Sequence, residues 1–280
     1  MFISPMLVSG AKDNKPFNSK HCIVELQLDG IRCLIANTDH FAMYTGQKQS
    51  IAHKFPELHM CPFPQGTIVD GELIIADTLG NPDYEAMAAR LFSARNKAPV
   101  VFYAFDIVQY KGIDVTNLPL AKRKELLEEA FEETDHYKKV RSHDGKSASA
   151  LFQQVQEQNL EGIVIKRLDS KYTSGRRLKT WQKVINWKSI DVIISGYRKK
   201  DFSLLAAIHN ADGLPIPVGV IEHNVRPEHK KLIETIKHRL VYKEDQHFVY
   251  MKPMLMARIK TRNWTRSGRL RSPEFMEFVL

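Results

Sequence analysis

Residues 25–32 place charged side chains on both sides of a tight-turn dipeptide. The run reads Glu25-Leu26-Gln27-Leu28-Asp29-Gly30-Ile31-Arg32. Because Asp-Gly strongly favours a turn between strands, residue 27 and Arg32 are expected to face a common pocket. Charged groups gathered in one pocket are what a binding or catalytic site requires.

Four further short segments carry side chains of the same kinds. They are Asp70-Gly71-Glu72, Phe105-Asp106, Glu161-Gly162 with Lys166 shortly after it, and Trp181-Gln182-Lys183. Each alone is a weak indicator, because such dipeptides also occur in ordinary turns. Their occurrence in this order, at predicted strand ends, indicates a shared site.

The segments must be positioned by a mixture of strands and helices. Two short strands, 22–28 and 31–36, are predicted to meet at the Asp29-Gly30 turn. A strand pair over 67–76 is predicted to be broken at residues 70–72. The β-branched and aromatic run at 100–105 predicts a buried strand, and residues 161–166 are predicted to form another strand that follows a glycine turn.

Two helices are predicted in the same part of the chain from apolar residues at helical spacing. The first covers 121–133 after Pro119, with an inward face of Leu126, Leu127, Ala130 and Phe131. The second covers 148–158, with an inward face of Leu151, Phe152 and Val155.

A domain boundary is predicted near residues 186–190, after which the pattern becomes richer in strands. Strands are expected over 191–197, 204–209, 218–222, 248–251 and 255–259. One helix, over 227–240, is expected to turn Leu232, Ile233, Ile236 and Leu240 inward. About five strands and one helix suit a small barrel such as an OB-fold, which often binds nucleic acid.

The net charge of +9 and the pI of about 9.3 favour a polyanionic partner. Seven cations lie between Lys252 and Arg271, a stretch that has no acidic residue and contains Trp264. Nucleic-acid grooves combine cations and aromatic surface in this way. A solvated basic face would give the same pattern, so the sequence leaves both interpretations open.

The composition is that of a globular protein without a membrane span. Its 280 residues are 43% hydrophobic and 26% charged, which allows two domains with a core each. No apolar run approaches the roughly 20 residues of a membrane helix, and the N-terminus lacks a signal-peptide pattern. The three cysteines fit no zinc spacing, so reduced thiols and a cytoplasmic location are expected.

Together the ordered motifs resemble those of the ATP-dependent DNA ligases, of the compact bacterial or phage kind. Residues 25–32 are similar to the nucleotidyl-transfer signature E-x-K-x-D-G-x-R, and the likeness extends from Ser4 to Phe275. The resemblance implies an α+β fold. A nucleotidyltransferase (adenylation) domain of antiparallel sheets with flanking helices would span 1–188, and an OB-fold β-barrel would span 189–280.

The resemblance also implies a role for each site residue. Glu25 would accept a hydrogen bond from the adenine amino group of ATP, and Phe105 would stack on the base. Arg32 would bind ribose or phosphate. Glu72 would bind the ribose hydroxyls and lie near the metal, and Glu161 would bind Mg²⁺ (or Mn²⁺). Lys166 and Lys183 would bind the α-phosphate. The implied partner is nicked duplex DNA, bound by a monomer.

The chain departs from the family pattern at the nucleophile. Gln27 stands where the family has the lysine that attacks ATP. An amide nitrogen shares its lone pair with the carbonyl and is not a useful nucleophile, so we expect no self-adenylation. Either an engineered lysine-to-glutamine replacement or a naturally degenerate ligase would explain this residue; the first is favoured because the other pocket residues are retained.

Two smaller departures concern substrate contacts. Gly46 lies where the family usually has an arginine, and Ile185 lies where it often has a second lysine. Other functional classes remain open beside the ligase: an RNA ligase, a capping-type nucleotidyltransferase, or a non-catalytic module that binds nicks or ends.

Overall fold

The computed structural model describes residues 2–93 and 95–279. The chain divides into two compact units, Met1–Asn186 and Trp187–Leu280, close to the predicted boundary between residues 188 and 189. None of the helices formed by the described residues has the length and apolar character needed to span a membrane.

The first unit contains eleven strands and three α-helices among its described residues. In chain order they are β1 (Leu7–Gly10), β2 (Cys22–Leu26), β3 (Ile31–Asn37), β4 (Phe41–Thr45), β5 (Thr67–Ile74), α1 (Tyr84–Phe92), β6 (Val101–Tyr110), β7 (Ile113–Asp114), α2 (Leu120–Ala130), β8 (Tyr137–Lys139), β9 (His143–Asp144), α3 (Ala148–Glu157), β10 (Gly162–Arg167) and β11 (Arg177–Ile185).

These strands form two sheets. The five-stranded sheet has the order β1-β11-β10-β2-β9 and is antiparallel except for the β1–β11 pair. In the six-stranded sheet the order is β4-β3-β5-β6-β7, and β8 runs parallel to β6. A cluster of buried residues that includes Met6, Leu34, Phe105 and Trp181 draws on strands of both sheets.

The strands on either side of Asp29-Gly30 do not form the predicted hairpin. Strand β2 belongs to the five-stranded sheet and β3 to the six-stranded sheet, so the chain changes sheets at this turn. Gly30 is needed here for close packing, because a Cβ at this position would lie 2.2 Å from the carbonyl oxygen of Leu73.

The predicted break at residues 70–72 is also wrong. Strand β5 runs continuously through Asp70-Gly71-Glu72, and almost all of its residues are buried. Gly71 lies in this central strand because a Cβ there would be 2.4 Å from the ring of Phe102. The dipeptide that suggests a turn is therefore a packing site for an aromatic ring.

The predicted helices are present, with small differences in length and facing. Helix α2 ends at Ala130, where Phe131 takes an extended backbone conformation. Its buried face includes Arg123 as well as Leu127 and Ala130. In α3 the residues Phe152 and Val155 are buried as expected.

The second unit contains seven strands and one α-helix among its described residues. They are β12 (Lys188–Arg198), β13 (Leu204–His209), β14 (Pro215–Ile221), α4 (Pro227–Leu240), β15 (Val241–Glu244), β16 (Phe248–Met251), β17 (Met256–Thr261) and β18 (Glu274–Val279). They form one sheet in which the long strand β12 pairs with β13, β16 and β17. On α4, Ile233 and Leu240 are buried, but Leu232 is exposed, contrary to the prediction.

Candidate active site

One face of the five-stranded sheet carries several of the candidate residues in register. Glu25 on β2 lies opposite Val164 on β10, which lies opposite Lys183 on β11. Lys166 and Trp181 form the next pair two residues along the same strands. Because side chains that are opposite, or two residues apart, project from the same face of a sheet, these residues share one surface.

The six-stranded sheet supplies a second set of candidate residues. Arg32 on β3 lies opposite Glu72 on β5. The β5–β6 pairing shifts between Asp70 and Gly71, and this β-bulge includes Phe105. An extra residue in a strand re-aims the local side chain, and such bulges are frequent beside active sites.

The two sets of side chains meet at the Phe105 ring. The Lys166 ammonium lies 4.5 Å from the Phe105 centroid and 4.3 Å from that of Trp181. The Arg32 guanidinium also lies 4.5 Å from the Phe105 centroid. The aromatic surface is therefore electrostatically suited to cations and electron-poor rings.

The Glu25 carboxylate is buried among three donors. Its Oε1 accepts hydrogen bonds from Lys124 Nζ at 2.5 Å and Ser142 Oγ at 2.7 Å, and its Oε2 accepts from Lys166 Nζ at 2.5 Å. Burial raises the pKa of Glu25, but the combined effect of the Lys124 and Lys166 ammonium groups is larger and lowers the pKa to about 2. Glu25 is therefore an ionised acceptor at neutral pH.

Arg32 is held by the buried carboxylate of Asp70. Its Nε and Nη2 each donate to Asp70 at 2.6 Å, and Nη2 also donates to the Met6 carbonyl oxygen at 3.1 Å. Asp70 accepts a further hydrogen bond from the Tyr172 hydroxyl at 2.6 Å. This bidentate pair fixes the guanidinium plane at the edge of the cavity. The sequence drew attention to Asp70 without giving it this role.

Asp106 is held in the same way from helix α2. Arg123 donates from Nε and Nη2 to its carboxylate at 2.8 Å, and both side chains are fully buried. Arg123 Nη1 donates to the carbonyl oxygens of Leu118 and Ser170. A buried ion pair whose donors and acceptors are satisfied in this way is well able to anchor the bulged strand beside Phe105.

Glu72 lies in a region of negative charge. Burial raises the pKa of its carboxyl to about 8, Arg32 opposes that rise, and Glu161, Asp70 and Asp29 add to it. Among the described residues, no group of three or more histidine, cysteine, aspartate or glutamate side chains is placed to hold a metal ion by itself.

Gln27 lies immediately after β2, just before the turn at which the chain changes sheets. Its backbone N–H donates to the Gly162 carbonyl oxygen at 2.8 Å. Its side-chain Oε1 is buried without a hydrogen-bond partner among the described residues. Gln27 lines a cavity together with Val8, Glu25, Leu26, Leu28, Arg32, Glu72, Phe105, Val140, Val164, Lys166 and Trp181.

The structure thus brings together six of the eight candidate residues around one cavity. Of the residues that the structure describes, the cavity lining does not include Glu161 or Lys183. Glu161 is nonetheless close enough to influence the Glu72 carboxyl, and Lys183 shares the sheet face with Glu25.

Sequence reasoning missed Lys124 and Ser142, which lie far from Glu25 along the chain. In the sequence Lys124 is only one of the lysines near the start of a predicted helix, so nothing there distinguishes it as a partner of Glu25.

Comparisons with known proteins show which family the chain resembles. The family model for the ATP-dependent DNA ligase domain matches residues 5–184. The SPbeta prophage-derived DNA ligase-like protein LigB of Bacillus subtilis (strain 168) is 36% identical over 278 residues, which are 98% of each chain. Probable DNA ligases are matched over only 34% and 39% of their own lengths.

Solved structures show the same fold at lower identity. A structure of mycobacterial DNA ligase D complexed with ATP and MES has a TM-score of 0.60 and 24% identity, covering 99% of this chain and 95% of that one. A Lig E DNA ligase has a TM-score of 0.69 and 18% identity, with complete coverage of both chains. With the family match over most of the chain and a full-length relative at 36% identity, this chain belongs to the ATP-dependent DNA ligase family.

Proposed function

We propose that the chain is a DNA ligase scaffold that binds ATP in the cavity of the first unit and acts on nicked duplex DNA, but cannot adenylate itself. The observation that carries this proposal is the convergence of Glu25, Arg32, Phe105 and Lys166 around Gln27. A site that has kept its ligand-binding groups but has an amide at the nucleophile position can bind a nucleotide without reacting with it.

Each group in the cavity has a property that suits a nucleotide. The Phe105 ring offers a stacking surface for the base, and the ionised Glu25 can accept a hydrogen bond from the adenine amino group. Arg32, held by Asp70, presents its fork of donors to ribose or phosphate oxygens. Glu72 would bind the ribose hydroxyls.

In this family mechanism a lysine amine at position 27 attacks the α-phosphorus of ATP. A P–N bond forms, the bond to the β-phosphate oxygen breaks and pyrophosphate leaves. The AMP is then transferred to the 5′-phosphate of the nick, and the 3′-hydroxyl displaces AMP as the strand is sealed. Lys166 and Lys183 would neutralise charge on the α-phosphate during these steps.

The acidic surroundings of Glu72 fit a divalent cation, Mg²⁺ or Mn²⁺. Burial is the main cause of the raised pKa of Glu72, and the nearby carboxylates of Glu161, Asp70 and Asp29 add to it against the effect of Arg32; a cation would offset both effects. Mg²⁺ is commonly bound by one or two carboxylates together with substrate phosphates, so a complete protein cage is not required. Glu72 and Glu161 would hold the ion, which would supply charge neutralisation at the phosphates.

The second unit is proposed to be an OB-fold that contributes to DNA binding. Its support is the seven-stranded sheet in which β12 pairs with β13, β16 and β17. A bridge between His223 and Glu274 also links the segment after β14 to the start of β18. Curling of one antiparallel sheet in this way is compatible with a small barrel.

The proposal is tested by transfer of α-phosphate-labelled ATP to this chain and to the Gln27→Lys variant. We expect acid-labile label on the variant alone, because an amine at position 27 can form the phosphoramidate and the Gln27 amide cannot. Label on both proteins would mean that another lysine is the nucleophile. Label on neither would favour a module that binds nicks or ends without catalysis.

A pre-adenylated nick provides the complementary substrate. Its sealing needs no lysyl-AMP, so we expect the Gln27 protein to retain some of this activity. The same assays with GTP in place of ATP, and with RNA in place of DNA ends, separate a DNA ligase from a capping-type enzyme or an RNA ligase.

A further inference from the structure

Helix α2 reaches the candidate nucleotide site through two consecutive cations. Arg123 binds Asp106 on β6, as described above. The next residue, Lys124, donates to Glu25 Oε1 at 2.5 Å and to the Phe105 carbonyl oxygen at 3.2 Å. Lys124 therefore joins the carboxylate proposed to read the base to the backbone of the ring proposed to stack on it.

The hydrogen bonds of Glu25 leave a defined place for a ligand donor. An ionised carboxylate has about four acceptor positions, two on each oxygen. Lys124 and Ser142 both donate to Oε1, whereas Lys166 donates to Oε2. One acceptor position on Oε2 thus remains for a ligand donor. The contacts to Oε1 fix the orientation of the carboxylate and therefore the direction of that position.

We propose that Lys124 is a positioning residue for adenine selectivity, which orients Glu25 so that its Oε2 accepts a hydrogen bond from the 6-amino group of the base. This inference rests on the proposed ATP site. Lys124 acts through Glu25, because its ammonium group is already bound to the carboxylate and to Phe105. A triphosphate whose purine lacks the 6-amino group gains nothing from this arrangement.

Lys124 also contributes to the charge state of Glu25. Burial raises the pKa of that carboxyl, and Lys124 from α2 and Lys166 from β10 lower it to about 2. Ser142, between β8 and β9, is the other group bonded to Glu25. Loss of Lys124 should therefore raise the pKa of Glu25.

The test compares the affinities of the Gln27 protein for ATP and for purine riboside 5′-triphosphate, which lacks the 6-amino group. We expect Lys124→Met to reduce the ratio of the two affinities by about tenfold, since a hydrogen bond to a charged group is worth about 1.5 kcal/mol or more. Lys124→Arg should restore most of the ratio. The matched control is Lys122→Met, because Lys122 is 62% exposed on the same helix.

Three outcomes separate the possibilities. An equal loss of affinity for both triphosphates in Lys124→Met would overturn the inference and leave only a structural role. Unchanged affinities for both triphosphates in this variant, which also leave the ratio unchanged, would overturn the inference as well. If the unsubstituted chain binds neither triphosphate, the proposed ATP site fails and this inference fails with it.

Two further measurements extend the test, and the first keeps it decisive even if Lys124→Met does not fold. Ser142→Ala removes the second donor to Oε1, and we expect it to lower the same ratio by about two- to threefold. In Lys124→Met itself, the ratio should fall further at pH 5 than at pH 7.5, because protonation of Glu25 disrupts the acceptor geometry. Protonation of the phosphate chain affects both ligands alike, and the unsubstituted chain, measured with the same two ligands, corrects for protonation of the adenine ring.

Discussion

At the scale of single residues, the cavity combines two carboxyls with opposite shifts in pKa. Glu25 is ionised because two lysines outweigh the effect of its burial, so its pKa lies at about 2. Glu72 has its pKa raised to about 8 by burial and by nearby carboxylates. Environments that separate the pKa values of neighbouring groups in this way are typical of functional sites.

The raised pKa of Glu72 predicts a pH dependence of folding stability. The carboxyl is easier to protonate in the folded state, so the folded protein binds more protons between pH 4.5, its ordinary pKa, and about 8. Stability from this group is therefore fully present below about pH 4.5 and is lost as the pH rises to 8. We expect the free energy of unfolding to fall by at most about 1.4 kcal/mol per pH unit in this window.

Urea unfolding between pH 5 and pH 8 without divalent cations measures this effect. Glu72→Gln should flatten the dependence, whereas Glu125→Gln, at a residue 59% exposed on α2, should leave it unchanged. A dependence that persists in Glu72→Gln would assign the titration to another group. Added Mg²⁺ should reduce the dependence if it binds the ionised carboxyl.

Sequence reasoning grouped the candidate residues better than it found their partners. Gln27, Arg32 and Phe105 come together as the motif order predicted. The contacts of Asp70 with Tyr172, and of Lys124 with Glu25, join residues about 100 positions apart. Such long-range pairs follow from sheet and helix packing, which one sequence does not specify.

At the scale of elements, the turn at Asp29-Gly30 connects two different sheets, whereas a hairpin would join two paired strands. The turn carries the chain from the five-stranded to the six-stranded sheet and brings Gln27 and Arg32 into the lining of one cavity. Local turn chemistry predicts the turn itself but not which strands pair beyond it. Most strand and helix positions were predictable because their apolar periodicity is local.

Gly30→Ala should disturb both stability and ligand binding. A Cβ at residue 30 would lie 2.2 Å from the Leu73 carbonyl oxygen and 2.5 Å from Ile74 Cδ1, so β3 and β5 must shift. We expect a loss of about 1–3 kcal/mol in the free energy of unfolding, with weaker ATP binding. Chemical denaturation and nucleotide titration measure the two effects.

Gly10→Ala is the matched control, since a Cβ at residue 10 would meet no atom within 4 Å. If Gly30→Ala behaves like this control, the close approach at the turn is not important for the fold.

At the scale of the whole molecule, acidic side chains neutralise part of the positive charge that the sequence shows in residues 252–271. Arg258 is paired with Asp191 on β12 and Glu277 on β18, and Lys260 is paired with Glu274. The stretch 252–271 has no acidic residue of its own, but neighbouring strands bring acidic side chains to it. A cation count along the chain therefore overstates the charge available to a polyanion.

This difference predicts how single arginines affect DNA binding. Affinity for nicked duplex DNA should fall steeply with salt, because bound cations release counterions from the phosphates. Arg269, which is exposed and bonded to the Pro217 carbonyl oxygen, should contribute to that slope. We expect Arg269→Gln to reduce the slope of log K against log salt by about 1.

Arg258→Gln is the comparison variant and should change the slope much less, because its carboxylate partners already neutralise the charge. Fluorescence anisotropy across a salt series provides the measurement. A flat salt response of the unsubstituted chain would contradict phosphate-dominated binding.

The backbone bond between Gln27 and Gly162 has a consequence for substitution at position 27. Position 27 is held by its own N–H, at 2.8 Å from the Gly162 oxygen, and this bond does not depend on the side chain. A glutamine codon becomes a lysine codon by one base change. Under the proposed function, a form that cannot adenylate itself and a form that can are separated by a single mutational step, and both can make the backbone bond to Gly162.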